Sequence, residues 1–279
     1  MRSGREILVL IAVLFSAVGG SHSARAACGL SGCPIDAKRN DRPERMLGAA
    51  NVMTLVGAVT ESGESAHYVT TSISSEVFPT AWLRFSFQLP ISTVFEEGST
   101  KSGLSDLVLE TAFAPAHWDE GKSMFWLGHQ FDLPTGSESD HLGSGHAEYL
   151  PYVSIHFGLD RSVAYLKTGT RLSLSGHAEE EVEEHHGFHG SVIDPHDRYE
   201  AVYRTGLLYK ASPNWSAEVA LAGQTVLSGE NAGQTYLSIV PQLNFPLLRE
   251  LEVHVQGQAP IGPSERFDWR VGAGVQMMF

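Results

Sequence analysis

Between residues 177 and 196 the chain gathers five of its 13 histidines beside a run of glutamates. Imidazole and carboxylate together form a borderline donor set that suits zinc, copper or nickel, with no thiolate to impose selectivity. Just upstream, His141 and His146 stand beside Asp140 and Glu148 and offer the same chemistry a second time. The expected activity is capture of a divalent metal by His177, His185, His186, His189, His196, His141, His146, Glu183 and Glu184. Two plainer readings stand beside it. So acidic a tract stays hydrated and extended through mutual repulsion and then binds metal only incidentally. Several histidines next to carboxylates also titrate near neutrality, which would make a pH-sensitive gate.

Something rigid must carry those residues, and most of the chain reads as strand. The final segment, Phe267-Asp268-Trp269-Arg270-Val271-Gly272-Ala273-Gly274-Val275-Gln276-Met277-Met278-Phe279, alternates apolar with polar or small residues. Successive side chains of a strand point to opposite faces, so Phe267, Trp269, Val271, Ala273, Val275, Met277 and Phe279 share one face. Aromatics at both ends of that stripe match the girdles of a lipid-facing strand. A terminal Phe279 resembles the C-terminal signal of bacterial outer-membrane barrels, which makes the barrel assembly machinery an expected partner. The alternative is an amphipathic edge strand of a soluble sandwich.

Alternating segments of this kind recur near 49–60, 66–75, 79–92, 104–115, 121–133, 146–158, 161–174, 198–211, 214–226, 233–245, 250–260 and 267–279. The fold class expected is all-β, a transmembrane antiparallel up-and-down β-barrel of about 12 strands over residues 49–279. The connections divide in two. Those at 158–161, 211–214 and 245–249 are short and fall on the side of the C-terminus, whereas 93–103, 134–145 and 175–197 are long and fall on the other. Short periplasmic turns and long outer loops are the asymmetry of these barrels, and it places the histidine tract outside the cell.

The other end of the chain agrees about compartment. Arg2 and Arg5 precede the apolar run Ile7 to Val18, and Ala24-Arg25-Ala26 supplies a cleavage site, so residues 1–26 read as a signal peptide. That run is well short of the roughly 20 residues that cross a bilayer as helix. Residues 27–48 read as a polar periplasmic arm holding both cysteines, Cys28 and Cys33. A local disulfide is the simplest expectation in an oxidising compartment, with a lipidated Cys28 or a metal or redox pair as alternatives. The formal charge of −13 argues against nucleic acid, which calls for a basic surface.

The faces opposite the apolar stripes carry charges of both signs. Arg84, Asp106, Glu110, Lys167, Arg171, Arg204, Glu252 and Arg270 are the expected lumen-lining set, joined by Glu148, His156, Glu200, Lys210, Glu218, His254 and Asp268. Eight strands are filled by their own side chains and sixteen leave an aqueous channel, so about twelve is intermediate. Such charges can line a small pore or pair into a sealed interior.

Three blocks carry a family resemblance: Gly103-Leu104-Ser105-Asp106-Leu107-Val108-Leu109-Glu110, Leu127-Gly128-His129-Gln130-Phe131-Asp132-Leu133-Pro134-Thr135-Gly136, and Leu142-Gly143-Ser144-Gly145 with the strand Leu150-Pro151-Tyr152-Val153. In order and spacing they resemble the outer-membrane transporter family named for the meta-cleavage pathway of phenol degradation, over residues 48–279. The resemblance implies an outer-membrane barrel taking up small molecules, and it leaves the solute open. The histidine and glutamate tract departs from that pattern. Pro134 removes a ladder donor and ends a strand, and Thr135 and Gly136 open a loop, so the matching residues read as architecture.

The function expected is an outer-membrane channel for a small solute or divalent metal ion, with lipid as its surroundings, no required cofactor and optional zinc, copper or nickel at the outer loop. A non-conducting structural or metal-sensing surface protein is the rival. An enzyme is disfavoured: no nucleophile motif exists, and the histidines crowd a loop where catalysis needs rigid elements. Oligomeric state is not legible.

Overall fold

The computed structural model describes residues 48–279 apart from 62–63, 81, 97, 119–122, 175–191, 193–196, 198, 213, 230, 249 and 263. Its strands are β1 (Gly48–Glu61), β2 (Glu64–Thr80), β3 (Leu83–Glu96), β4 (Ser99–Leu104), β5 (Leu107–Trp118), β6 (Ser123–Leu133), β7 (Glu148–Leu159), β8 (Ser162–Ser173), β9 (Tyr199–Ser212), β10 (Trp215–Val226), β11 (Thr235–Pro246), β12 (Leu251–Pro260) and β13 (Trp269–Met278). Neighbours pair antiparallel, and β1 closes on β13 from Ala49 opposite Met278 to Ala58 opposite Trp269. Reciprocal backbone bonds between Gly48 and Phe279, both 3.0 Å, finish the seam. Strand β4 pairs with the second half of β3 and β5 with the first half, so the two form one stave broken at Ser105 and Asp106. The result is a closed barrel of 12 staves, the all-β up-and-down architecture expected from the alternation.

Three local expectations are corrected. Residues 93–103, read as a long loop, continue β3 and form β4, with Thr93 opposite Ser102 and their hydroxyls 2.9 Å apart. Polar pairs there keep the ladder going, and composition alone did not distinguish a hydroxylated strand from a loop. Strand β2 runs Glu64–Thr80, well beyond the 66–75 expected. Phe267 does not reach the apolar outer face: β13 begins at Trp269, and Phe267 lies buried beneath the Arg270 guanidinium at 4.1 Å.

Elsewhere the facing follows the period of two. Phe85, Phe87, Leu109, Phe131, Val153 and Phe157 all project outward, each about 40% exposed or more. The stripe recurs on successive staves up to Val271, Val275 and Met277 of β13. A continuous apolar belt this large has no stable place in water and suits hydrocarbon. No described helix is long and apolar enough to cross a membrane; the strands supply the apolar face.

Inside, tyrosines lie over glycines of the next strand. Tyr152 is the cross-strand partner of Gly128, and a Cβ on that glycine would sit 2.0 Å from the ring. Tyr165 covers Gly206 in the same way, at 2.6 Å. Each ring therefore lies flat against the barrel wall and delivers its hydroxyl sideways into the lumen.

Candidate functional site: the barrel lumen

The lumen encloses a cavity of about 440 Å³. One wall belongs to β2 and β3 and carries mainly short or neutral side chains, Thr70, Ser72, Ser74, Ser86 and Gln88, with Glu76 as its acidic group and Met53 and Leu55 of β1 beside them. The opposite arc runs through β5 to β9 and carries Glu110, Tyr152, Lys167, Arg171 and Arg204. Gln224, Gln256 and Gln258 from β10 and β12 complete the lining between them.

Glu110 is the hub of the charged arc. Its Oε1 accepts the Tyr152 hydroxyl at 2.6 Å and the Arg84 guanidinium, and its Oε2 faces Lys167 Nζ at 3.5 Å. Lys167 also rests 3.9 Å from the centre of the Tyr152 ring, a cation on a π face. The geometry begins with Gly128, since any side chain there would lift Tyr152 away from Glu110. A second cluster repeats the pattern: Tyr165 donates to Glu218 Oε1 at 2.5 Å, and Arg204 reaches the Tyr165 oxygen at 2.9 Å and Glu218 Oε1 at 3.2 Å.

A third cluster lies at the end carrying the long connections. Arg171 stands 3.3 Å from Glu148 and 3.7 Å from Glu200. Arg266, from the β12–β13 connection, meets Glu200, Asp197 at 2.5 Å and Gln224 at 3.0 Å, and stacks on Tyr236 at 4.0 Å. This end is also partly plugged. Val59, Ala66, Tyr68, Val94, Leu142, Val192 and Phe267 pack into an apolar cluster that carries the 134–147 connection inward.

Asp106 explains how that connection stays folded. Its Oδ1 accepts the Gly136 N–H at 3.0 Å, and its Oδ2 accepts the Ser144 N–H at 2.6 Å and hydroxyl at 2.8 Å. The break between β4 and β5 at Asp106 frees the carboxylate to do this.

The expected lumen residues Arg84, Glu110, Lys167, Arg171, Arg204 and Arg270 all turn inward and fall into these clusters or beside them. Arg84 and Glu252 face inward but stand behind the cavity wall; Glu252 is fully buried between its strand neighbours Pro246 and Gln276. Of the expected metal ligands, His146 Nε2 lies 3.2 Å from Glu148 and His141 Nε2 lies 3.8 Å from Glu96. Among the described residues no group of three histidine, cysteine or acidic side chains is arranged to hold a metal. His177, Glu183, Glu184, His185, His186, His189 and His196, together with Cys28 and Cys33, lie outside the described residues.

Sequence reasoning missed Tyr152, Tyr165 and Arg266, whose roles depend on partners one to three strands or a whole loop away. The only local signal was a tyrosine on the inward register of a strand, which by itself looks like packing.

No family model matches the chain, and no curated protein matches it in sequence. Solved structures do match. An outer-membrane channel from Pseudomonas putida F1 superposes with a TM-score of 0.65 at 13% identity, over 91% of this chain and 100% of that one. The NanC porin gives 0.55 at 8% identity, over 82% and 100%. The KdgM porin gives 0.51 at 10% identity, over 83% and 99%. At such identities the likeness is one of fold, and the fold is that of outer-membrane channels and porins.

Proposed function

We propose that the protein is a passive channel of the bacterial outer membrane that admits small polar solutes. The observation that carries this reading is a cavity into which hydroxyls, amides and charges project, inside a closed barrel whose outer face is an apolar belt. Lipid satisfies the belt, and a water-filled lumen satisfies the interior hydroxyls, amides and charges. The likeness to channels and porins supports the same reading in fold. Residues 1–26 serve as export signal, 27–48 as a periplasmic arm in which Cys28 and Cys33 pair, and Phe279 as the contact for barrel assembly. The family named for the meta-cleavage pathway is the finer relationship that the Asp106 and Leu133-Pro134-Thr135-Gly136 blocks suggest.

Purified protein in a planar lipid bilayer should give discrete conductance steps. Their absence at every voltage would favour the sealed, structural reading. The outer histidine and glutamate tract adds a metal-capture function. Full-length protein should release or absorb heat on zinc or copper addition at neutral pH, and deletion of residues 177–196 should abolish the signal. Equal heats from both proteins would remove that function and leave the channel standing.

A further inference from the structure

Lys167 on β8 and Arg204 on β9 are directly opposite one another in the β8–β9 register, and both border the cavity. Like charges directly opposite on adjacent strands repel. Closer to the long connections, the same two strands set Arg171 opposite Glu200, an attractive pair. The sheet thus matches charge at one level and opposes it at the next. A local rule broken beside an otherwise matched pair marks a functional position.

The nearby carboxylates leave those two cations facing the passage. Both oxygens of Glu110 are engaged, one by Tyr152 and Arg84 and the other by Lys167. Glu218, which meets Arg204, is almost fully buried and stands outside the cavity lining. Glu110 lines the wall beside them, and at this level three cations, Arg84, Lys167 and Arg204, meet two carboxylates, Glu110 and Glu218, which leaves positive charge in excess. Across the cavity stand the uncharged Ser72, Ser74 and Ser86, with Glu76 the acidic group of that wall.

We propose that Lys167 and Arg204 form an anion-selecting station in the lumen, where a small carboxylate or other oxyanion pauses between the ammonium and the guanidinium on its way through. Cations are held back at the same point. This selectivity rests on the channel reading above. A narrow low-dielectric lumen strengthens the discrimination, because charges there are poorly screened.

The test is a reversal-potential measurement on single channels across a potassium chloride gradient, followed by replacement of chloride with acetate. The wild-type protein should pass chloride and acetate in preference to potassium. The ratio should fall severalfold in Lys167→Gln and return in Lys167→Arg. A wild-type channel that is unselective or prefers potassium overturns the station while leaving the channel reading intact, and needs no variant. An unchanged ratio in Lys167→Gln also overturns it. A protein without conductance steps overturns both.

Discussion

The two walls of the lumen obey different rules. The β5–β10 arc, joined by Arg84 from the first half of β3, is built from long side chains that reach across neighbouring strands and meet, as Arg84, Glu110, Tyr152 and Lys167 do. The β2–β3 arc carries Ser72, Ser74 and Ser86, which are too short to cross anything. Space in a barrel of this size is therefore decided by side-chain length. Where long partners bridge, the interior fills and rigidifies; where hydroxyls stop short, a passage remains. The ion-paired arc supplies the scaffold and the field, and the hydroxyl arc supplies the room.

Glu110→Ala should break that contrast most severely. It leaves Arg84 and Lys167 facing each other without their shared carboxylate, and removing one partner of a buried pair costs about 3–5 kcal/mol. The expected outcome is a large drop in the urea midpoint of the vesicle-embedded protein. Gly128→Ala comes next. The added methyl would meet the Tyr152 ring at 2.0 Å, and such overpacking costs about 1–3 kcal/mol, read on the same unfolding curve. Asp106→Ala removes the acceptor for three bonds to Gly136 and Ser144, with about 1–3 kcal/mol at stake for groups left unsatisfied. Its effect should be local, seen as faster hydrogen exchange across 134–147 with the barrel strands unchanged.

The hydroxyl arc should answer in the opposite manner. Ser72→Ala should change stability by no more than about 0.5 kcal/mol. Ser74→Phe should leave the fold intact yet cut single-channel conductance by about half, because a ring there occupies the passage. If Ser72→Ala proved as damaging as Gly128→Ala, the division between scaffold and passage would be wrong.

Much of the barrel was legible because period-two alternation is a local property. Phe85, Phe87, Val153 and Phe157 were assigned outward, and Glu110, Lys167 and Arg204 inward, from position alone. The failures share one cause. Residues 99–103 are rich in Ser and Thr, which serve equally in loops and on the wet face of a strand. Phe267 fits the alternation of β13, yet the chain turns before reaching it, and the ring goes inward to Arg270.

The sequence by itself determined the antiparallel barrel, its apolar belt, the inward face of Glu110, Lys167 and Arg204 and the long connection at 134–147, since each follows from spacing within one segment. Only the tertiary structure decided which charges meet. Lys167 opposes Arg204 because closure of the ring sets the register between β8 and β9, and Glu110 gathers Arg84, Tyr152 and Lys167 because the lumen is narrow enough for side chains of four strands to touch. Register and closure are properties of the whole ring, and no single strand contains them.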